Sequence, residues 1–70
     1  MILLDPVLYT VAEVAELLKI NRNAVYELIS KNILVGLKLG SMKITKAELM
    51  RFLNEYVGKD LSDLDDIKKL

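Results

Sequence analysis

Arg22, Asn23, Tyr26 and Ser30 bring four hydrogen-bonding side chains into one short segment of the chain. At about 100° per residue of an α-helix they share one arc, and the opposite arc is apolar. Arginine can bind guanine and asparagine can bind adenine through paired hydrogen bonds in the DNA major groove, while tyrosine and serine commonly bind phosphate or sugar. The pattern predicts a recognition helix; an ordinary amphipathic surface helix is the alternative interpretation.

The elements around this segment have the spacing of a helix-turn-helix. The helix is predicted to begin after Asn21, a good N-cap residue at a helix end that also suits a phosphate. An earlier helix is predicted over residues 11–18, because Thr10 and Glu13 have the spacing of a capping box and apolar residues then recur at intervals of three and four. Only residues 19–21 separate the two helices.

Two smaller features flank the first helix. Leu8 and Tyr9, which precede it, suit a short strand. In the linker after it, Ile20 is expected to plug the space between the helices. The linker contains no glycine, so another residue must take any left-handed backbone conformation there.

After residue 32 the pattern changes to the alternation of apolar and polar residues that is typical of β-strands. Gly40 and Ser41 suit a two-residue hairpin turn. The pairs predicted for this hairpin, with the apolar side chains facing the core, are Leu39 with Met42, Lys38 with Lys43, and Leu37 with Ile44.

This register places Lys38 and Lys43 opposite each other on the exposed face, where like charges repel. A phosphate between them would turn the repulsion into attraction, so one interpretation is a wing that grips a nucleic acid backbone. The other interpretation is a pair of solubilising lysines that also discourages edge pairing.

A third helix is predicted over residues 46–57, because Thr45 and Glu48 repeat the capping-box spacing and Gly58 suits the C-terminal end. Its apolar stripe is expected to be core rather than a ligand pocket. The stripe consists of Leu49, Met50, Phe52, Leu53, Tyr56 and Val57. Arg51 on the outer face has two interpretations, a phosphate contact or a solvated side chain.

Length and spacing predict a single, mainly α-helical domain with a small β-hairpin. We divide the chain into a lead-in (1–7), the domain (8–58) and an acidic C-terminal extension (59–70). Apolar residues at about every third position of the extension suit a short helix or a pair of turns packed on the domain, with a dimer contact as the alternative. Its aspartates lack the glycine and terminal glutamate of a calcium loop.

Cysteine and histidine are both absent from the chain. Their absence removes disulfides, thiolate nucleophiles, most zinc sites and histidine-based proton transfer. We therefore expect no enzyme activity, no metal and no cofactor. The sequence shows neither a signal peptide nor an apolar run long enough to span a bilayer, so we expect a soluble cytoplasmic protein with no membrane partner.

The ten basic and ten acidic residues cancel, which is unusual for a nucleic-acid binder. They are unevenly distributed along the chain. From Lys19 to Arg51, seven basic residues stand against two acidic ones, a local net charge of +5. Positive charge around the predicted recognition helix favours a nucleic acid partner, and a scattered solvated surface is the alternative.

Several segments together resemble the excisionase-type helix-turn-helix family, relatives of the MerR DNA-binding domain. They are the segments Tyr9 to Leu18, Asn21 to Ile29, Leu37 to Gly40, Lys43 to Ile44, and Lys46 to Leu53. The resemblance covers about residues 8 to 56. It implies a winged helix-turn-helix of three helices plus a two-stranded wing, with the second helix in the major groove and the wing along the backbone or minor groove.

The resemblance also implies roles for individual residues. Carried over by position, Arg22, Asn23 and Tyr26 face the groove and read bases. The residues expected at the DNA backbone are Asn21, Lys31, Lys38, Ser41 and Lys43, and Ser30 is added to them from its place on the polar arc.

The implied function is sequence-preferring binding of double-stranded DNA by a small excisionase or transcription regulator, associated with the nucleoid and without a small-molecule ligand. A recombinase or neighbouring copies on DNA are the implied protein partners. The wing lacks the arginines of many members, and the acidic extension is placed to screen or regulate the DNA face. The neutral overall charge favours a second function class, a protein-interaction module on the same scaffold with little or no DNA binding.

Overall fold

The computed structural model describes residues 7–70, which form three helices and two small antiparallel sheets. In chain order the elements are β1 (Leu8–Thr10), α1 (Val11–Leu18), α2 (Arg22–Ser30), β2 (Leu37–Leu39), β3 (Ser41–Thr45), α3 (Lys46–Tyr56), β4 (Lys59–Asp60) and β5 (Lys68–Lys69). The predicted lead-in lies outside the described residues apart from Val7. The strand expected at Leu8 and Tyr9 is confirmed as β1.

The first two helices begin where the sequence predicts. At the start of α1, the Thr10 hydroxyl accepts a hydrogen bond from the Glu13 N–H at 3.1 Å, and the Glu13 carboxylate accepts one from the Thr10 N–H at 2.9 Å. At the start of α2, the Asn21 side-chain oxygen accepts a hydrogen bond from the Ala24 N–H at 2.8 Å. The capping box and the N-cap are thereby confirmed, because both satisfy N–H groups that have no partner within the helix.

The same type of turn ends both helices. Lys19 after α1 and Asn32 after α2 have left-handed backbone conformations, with φ of 60° and 61°. In each case the N–H of the next residue donates to the carbonyl five residues earlier at 3.0 Å, the hydrogen bond that defines a Schellman motif. Lysine and asparagine thus occupy a position that glycine takes most easily, and the left-handed conformation costs about 1–2 kcal/mol for a residue such as lysine. The tight turn after α1 fixes the angle at which α2 leaves it.

Within residues 7–70, ten apolar side chains are buried and form one core. They are Val11, Val14, Ala15, Val25, Leu28, Ile33, Leu34, Ile44, Leu49 and Phe52. The two that the sequence did not indicate, Ile33 and Leu34, come from the loop after α2, and Leu34 is fully buried.

The prediction that Ile20 plugs the helix-turn-helix is wrong. Its side chain is 39% exposed and lines an open groove of about 400 Å³ with residues that include Leu18 and Leu61.

The wing belongs to a three-stranded antiparallel sheet in the order β1-β3-β2, one strand more than the predicted hairpin. Its predicted register is wrong by one residue, since the observed pairs are Leu37 with Lys43, Lys38 with Met42, and Leu39 with Ser41. Gly40 alone forms the tip, with φ of 75°, which glycine adopts without strain. A one-residue shift moves side chains to the opposite face, so Lys38 and Lys43 are not opposite each other. Leu37 and Leu39, predicted as core, are 44% and 60% exposed.

The apolar stripe of α3 is only partly core. Leu49 and Phe52 are buried, and Tyr56 is half-buried against the core. The prediction of core is wrong for the other three members of the stripe, because the side chains of Met50, Leu53 and Val57 are 48%, 38% and 78% exposed. Such a wide apolar arc exceeds what one helix can bury against the small core of a 70-residue chain.

The C-terminal extension forms turns rather than a helix. β4 and β5 pair with each other in an antiparallel ladder, Lys59 with Lys69 and Asp60 with Lys68. The loop between them lays three half-buried side chains on the core, Leu61, Leu64 and Ile67. The expected packing is therefore confirmed for these three, whereas Leu70 is 90% exposed.

Candidate nucleic-acid interface

The polar arc of α2 is directed away from the core. Val25 and Leu28 are buried on the opposite side of the helix, while Arg22, Asn23 and Tyr26 are exposed. The side chains of these last three residues form no hydrogen bond or ion pair with any described residue. Their donors and acceptors are therefore available to an external partner, as base reading requires.

Two neighbouring polar residues already have partners within the helix. The Asn21 oxygen caps α2, which leaves the amide NH₂ of the side chain free to donate. The Ser30 hydroxyl donates to the Glu27 carbonyl at 2.9 Å, so its proton is engaged and its oxygen retains only acceptor capacity. A phosphate, which is an acceptor, is thus better matched by Asn21 than by Ser30.

Lys31, at the end of α2, is joined to the C-terminal extension. Its ammonium lies 2.7 Å from a carboxylate oxygen of Asp65, 34 positions later in the chain. The hydrogen bond and the charge of Asp65 raise the pKa of Lys31, with smaller contributions from Asp63 and Glu27. The Lys31 and Asp65 side chains are 47% and 74% exposed, so salt and water weaken the contact and a competing anion can reach the lysine.

In the wing, the predicted backbone-contacting residues lie on two faces. The Lys43 ammonium donates to the Ser41 hydroxyl at 2.6 Å and to the Leu39 carbonyl at 3.4 Å. Lys38 pairs with Met42 on the other face of the strand. Ser41 and Lys43 are therefore brought together, and Lys38 is separated from them by the register shift.

Arg51 takes part in a structural clamp instead of remaining a free cation. The Glu48 carboxylate accepts hydrogen bonds from the Arg51 guanidinium at 2.6 and 2.8 Å and from the Val35 N–H at 2.9 Å. The guanidinium also donates to Glu55 at 2.9 Å and to the Ile33 carbonyl at 3.0 Å. These contacts attach the loop before β2 to α3. They lower the pKa of Glu48, mainly through Arg51, and raise that of Arg51, mainly through Glu48.

The clamp predicts a pH-dependent contribution to stability. Because the folded pKa of Glu48 is below its unfolded value, ionised Glu48 stabilises the fold above that value, and the stabilisation is lost as the pH falls through the folded pKa. Glu48→Gln is expected to lower the free energy of unfolding by about 1 kcal/mol at neutral pH. Urea titrations at pH 7 and at successively lower pH measure the difference between the two proteins, which should shrink on acidification.

Glu55→Gln is the matched control for Glu48→Gln. It also removes a carboxylate that contacts Arg51 at 2.9 Å, but this carboxylate is 49% exposed, compared with 14% for Glu48. We expect a smaller, more salt-sensitive loss for Glu55→Gln. Equal losses for the two variants would contradict the role of Glu48 in attaching the loop.

Asp65 is the residue of this surface that the sequence did not single out. The sequence shows that the extension is acidic, but the contact between Lys31 and Asp65 depends on how the final turns of the chain pack on the domain. The pairing of Glu48 with Arg51 had a local signal, since the two residues are three apart on one helix. Nothing local indicated that Glu48 also holds the Val35 N–H.

The fold and this exposed helix define a winged helix-turn-helix protein, a class whose second helix is suited to the major groove. A family model described as a helix-turn-helix domain matches residues 8–56. The chain therefore belongs to the excisionase-type helix-turn-helix family. No curated protein and no solved structure gave a significant match.

Family membership indicates DNA binding as the function class, and the family is typically non-enzymatic. None of the helices between residues 7 and 70 combines the length and apolar character that crossing a membrane requires. Within the same residues, no group of three or more acidic side chains is arranged to hold a metal ion.

Proposed function

We propose that the protein binds double-stranded DNA with sequence preference, with α2 in the major groove and the β2–β3 wing on the backbone. The observation that carries this proposal is the set of three exposed side chains without internal partners on α2. Arg22 and Asn23 read base edges, and Tyr26, one turn further on, contacts a base or the adjacent sugar. An ordinary surface helix needs only polar side chains on the side that faces water. It does not need this particular combination of hydrogen-bond donors and acceptors directly after a tight helix-turn-helix turn.

The backbone contacts are assigned to residues around this helix. Asn21 and Lys31 lie at its two ends, and Ser41 and Lys43 lie together on the wing. Lys38 contacts phosphate from the other face of the wing, and Ser30 accepts a hydrogen bond from a bridging water. Each direct lysine contact with a phosphate contributes about one unit to the dependence of log K on log salt concentration.

The biological role that follows is that of a small excisionase or transcription regulator of the cytoplasm, associated with the nucleoid. Neighbouring copies of the protein on DNA, or a larger protein such as a recombinase, are the partners that this role implies. The position of the bound site, near a recombination site or near a promoter, distinguishes the two roles.

Selection from a random duplex library at low salt tests the proposal. Enrichment of one sequence motif supports base reading and supplies a site to locate in the host genome. Recovery without a motif would contradict sequence preference and leave backbone binding. No recovery, together with copurification of one stoichiometric protein, would favour the interaction module instead.

We further infer that the extension, residues 59–70, competes with DNA for Lys31. A carboxylate at 2.7 Å occupies the position around the ammonium that a phosphate oxygen would take. The family match ends at residue 56, so this competing group lies outside the part of the chain that the family model covers. DNA binding then requires Lys31 to exchange one anion for another, which lowers affinity without altering the reading face.

Asp65→Asn is expected to raise the affinity for duplex DNA by roughly threefold to tenfold, because Lys31 becomes free and one repulsive charge is removed. The plot of log K against log salt concentration should steepen by about one unit, because in wild type the Asp65 carboxylate released from Lys31 takes up a cation, which offsets one of the cations released from the DNA. Fluorescence anisotropy at several salt concentrations measures both quantities.

Asp66→Asn is the matched control, since it makes the same change of net charge in the same loop. Asp66 lies 3.5 Å from the Lys68 ammonium instead of that of Lys31. We expect a smaller gain in affinity and no change in the salt slope. Equal effects for the two variants would reduce the role of the extension to its overall charge.

A further inference from the structure

The wing presents two large apolar side chains to solvent. Leu39 is 60% exposed and Leu37 is 44% exposed. The strand pairs place them on the same face as Ser41 and Lys43, whereas Met42 and the buried Ile44 occupy the face towards the core. Neither leucine therefore contributes fully to the core, and both lie on an edge strand, where exposed apolar residues promote unwanted pairing. Together they form a small apolar patch on one face of the wing, which is available to a partner.

The surroundings of these leucines indicate the chemistry of that partner. The Lys43 ammonium donates to the Leu39 carbonyl at 3.4 Å, so a positive charge lies directly beside the more exposed leucine. Lys38 lies on the opposite face of the strand, and residues 35–47 contain no acidic residue. Apolar side chains beside a cation, without a nearby carboxylate, match a partner with anions at its edge and apolar groups between them, which is the arrangement of phosphates and stacked bases in a duplex.

A second copy of the chain fits this surface less well. Pairing of two β2 edges would bring the Lys38 side chains of both copies close together without a compensating anion. β2 contains only three residues, Leu37–Leu39, whereas stable interfaces between proteins involve about 20–30 residues on each side. Charge and size together therefore favour DNA over a second wing.

We propose that Leu39 is a wedge that enters the minor groove and inserts between two base pairs, so that the bound DNA is kinked. This inference rests on the proposed DNA binding and adds a deformation step to it. Lys43 and Ser41 hold the flanking phosphate, and Leu37 packs on the sugars behind the wedge. The tip itself is slender, because Gly40 has no side chain and no atom beyond its two chain neighbours lies within 4 Å of the position where a Cβ would be.

Insertion of Leu39 also gives the wing a role in the sequence preference of DNA binding. Pyrimidine–purine steps unstack most easily, so a wedge prefers them without forming any base-specific hydrogen bond. The kink at one step also bends the duplex around the protein. Minor-groove wedges of this kind kink DNA by roughly 20–90°.

The test uses a duplex that carries the motif enriched in the selection, labelled at its two ends for energy transfer, with 2-aminopurine placed at successive steps. A duplex of about 30 base pairs is far shorter than the persistence length of roughly 150 base pairs, so it stays straight unless the protein bends it. Wild type is expected to shorten the end-to-end distance and to raise 2-aminopurine emission at one step. Leu39→Ala should lose at least half of the bend and the emission change, and bind roughly threefold to tenfold more weakly.

Two further variants complete the design. Leu39→Met retains a flexible apolar side chain and is expected to restore the bend. Val57→Ala removes an apolar side chain that is 78% exposed at the end of α3, and it should leave both signals as in wild type. Thermal unfolding of each variant verifies that the fold is intact.

The outcomes separate this inference from the function on which it rests. Tight binding of the enriched motif by wild type, with straight DNA and unchanged 2-aminopurine emission, would overturn the wedge and leave sequence-preferring binding intact. An equal bend with Leu39→Ala would overturn the assignment to Leu39. Failure of wild type to bind any duplex would overturn both proposals.

Discussion

The double substitution Arg22→Ala and Asn23→Ala is expected to abolish the sequence preference of DNA binding. Loss of a paired hydrogen bond to a base typically costs about 1–3 kcal/mol. Two such losses weaken binding to the enriched motif by roughly a hundredfold, since each 1.4 kcal/mol corresponds to tenfold in affinity. Binding to unrelated duplexes at low salt should change little, because the lysine contacts with phosphate remain. Competition between motif and non-motif duplexes measures the ratio directly.

Both side chains are exposed and without internal partners, so the double variant should fold as wild type does. Lys69→Ala is a matched control, since it removes one positive charge from strand β5 in the C-terminal extension. We expect it to retain the full preference for the motif. A double variant that still discriminated between sequences would show that the sequence preference resides in other residues.

Leu34→Ala is expected to produce the largest loss of stability among single substitutions discussed here. Leu34 is fully buried and is among the largest side chains buried to this extent. Replacing a buried leucine by alanine costs about 2–5 kcal/mol, from lost transfer energy and the cavity that remains. At roughly 0.05–0.15 kcal/mol per residue, a 70-residue chain has a total stability of only about 4–10 kcal/mol. The variant should therefore lose about half of its stability and unfold at a much lower urea concentration than wild type.

Val35→Ala, one position further along, provides the control for Leu34→Ala. Val35 is 53% exposed, and its N–H, which is unaffected by the substitution, donates to Glu48. We expect a change within about 0.5 kcal/mol, as for most surface substitutions. Urea denaturation monitored by circular dichroism gives both values. Similar losses at positions 34 and 35 would contradict the burial that the fold assigns to them.

Local signals were sufficient to predict the helices. Thr10, Asn21 and Thr45 all cap helices, because a cap depends on a side chain and an N–H only two or three residues away. The capping box predicted at Thr45 and Glu48 is only half formed, since the Thr45 hydroxyl accepts a hydrogen bond from the Glu48 N–H at 3.0 Å but the Glu48 carboxylate binds Arg51 and the Val35 N–H instead. The spacing of apolar residues likewise identified the buried face of α2. The alternation of apolar and polar residues after residue 32 predicted the hairpin, and the family resemblance, confirmed by the match over residues 8–56, implied the same wing.

Features that depend on packing over longer distances were not predicted. The register of the wing follows from the conformation of a single residue, Gly40, and an error of one position there reverses the exposure of Leu37 and Leu39. Ile20 and Leu34 are both aliphatic residues in loops, and nothing in their local sequence shows which of the two side chains is buried in the core. The backbone turns determine this, since Ile20 follows Lys19, which has a left-handed backbone conformation, and the Ile20 side chain points into an open groove.

The features of the candidate site likewise fall into those that the sequence predicted and those that it did not. The composition of the polar arc of α2 could be read from residue types and helical spacing, and the structure places Arg22, Asn23 and Tyr26 at the surface. Their roles in reading bases remain predictions. Engagement of Lys31 by Asp65 could not be foreseen, because it joins two segments through the packing of a short C-terminal hairpin.

The contact between Lys31 and Asp65 also affects how such a protein distributes itself over a chromosome. Attraction to bulk DNA comes from unpaired cations and acts over a Debye length of about 8–10 Å. A chain with a formal net charge of zero, in which an aspartate neutralises a lysine at the end of α2, has little of this attraction. A genome offers roughly a million to a billion competing sites. Because the protein is retained only weakly at those sites, more protein molecules remain free to search for the preferred DNA site. Occupancy of that site then depends more on base recognition and less on the total amount of protein.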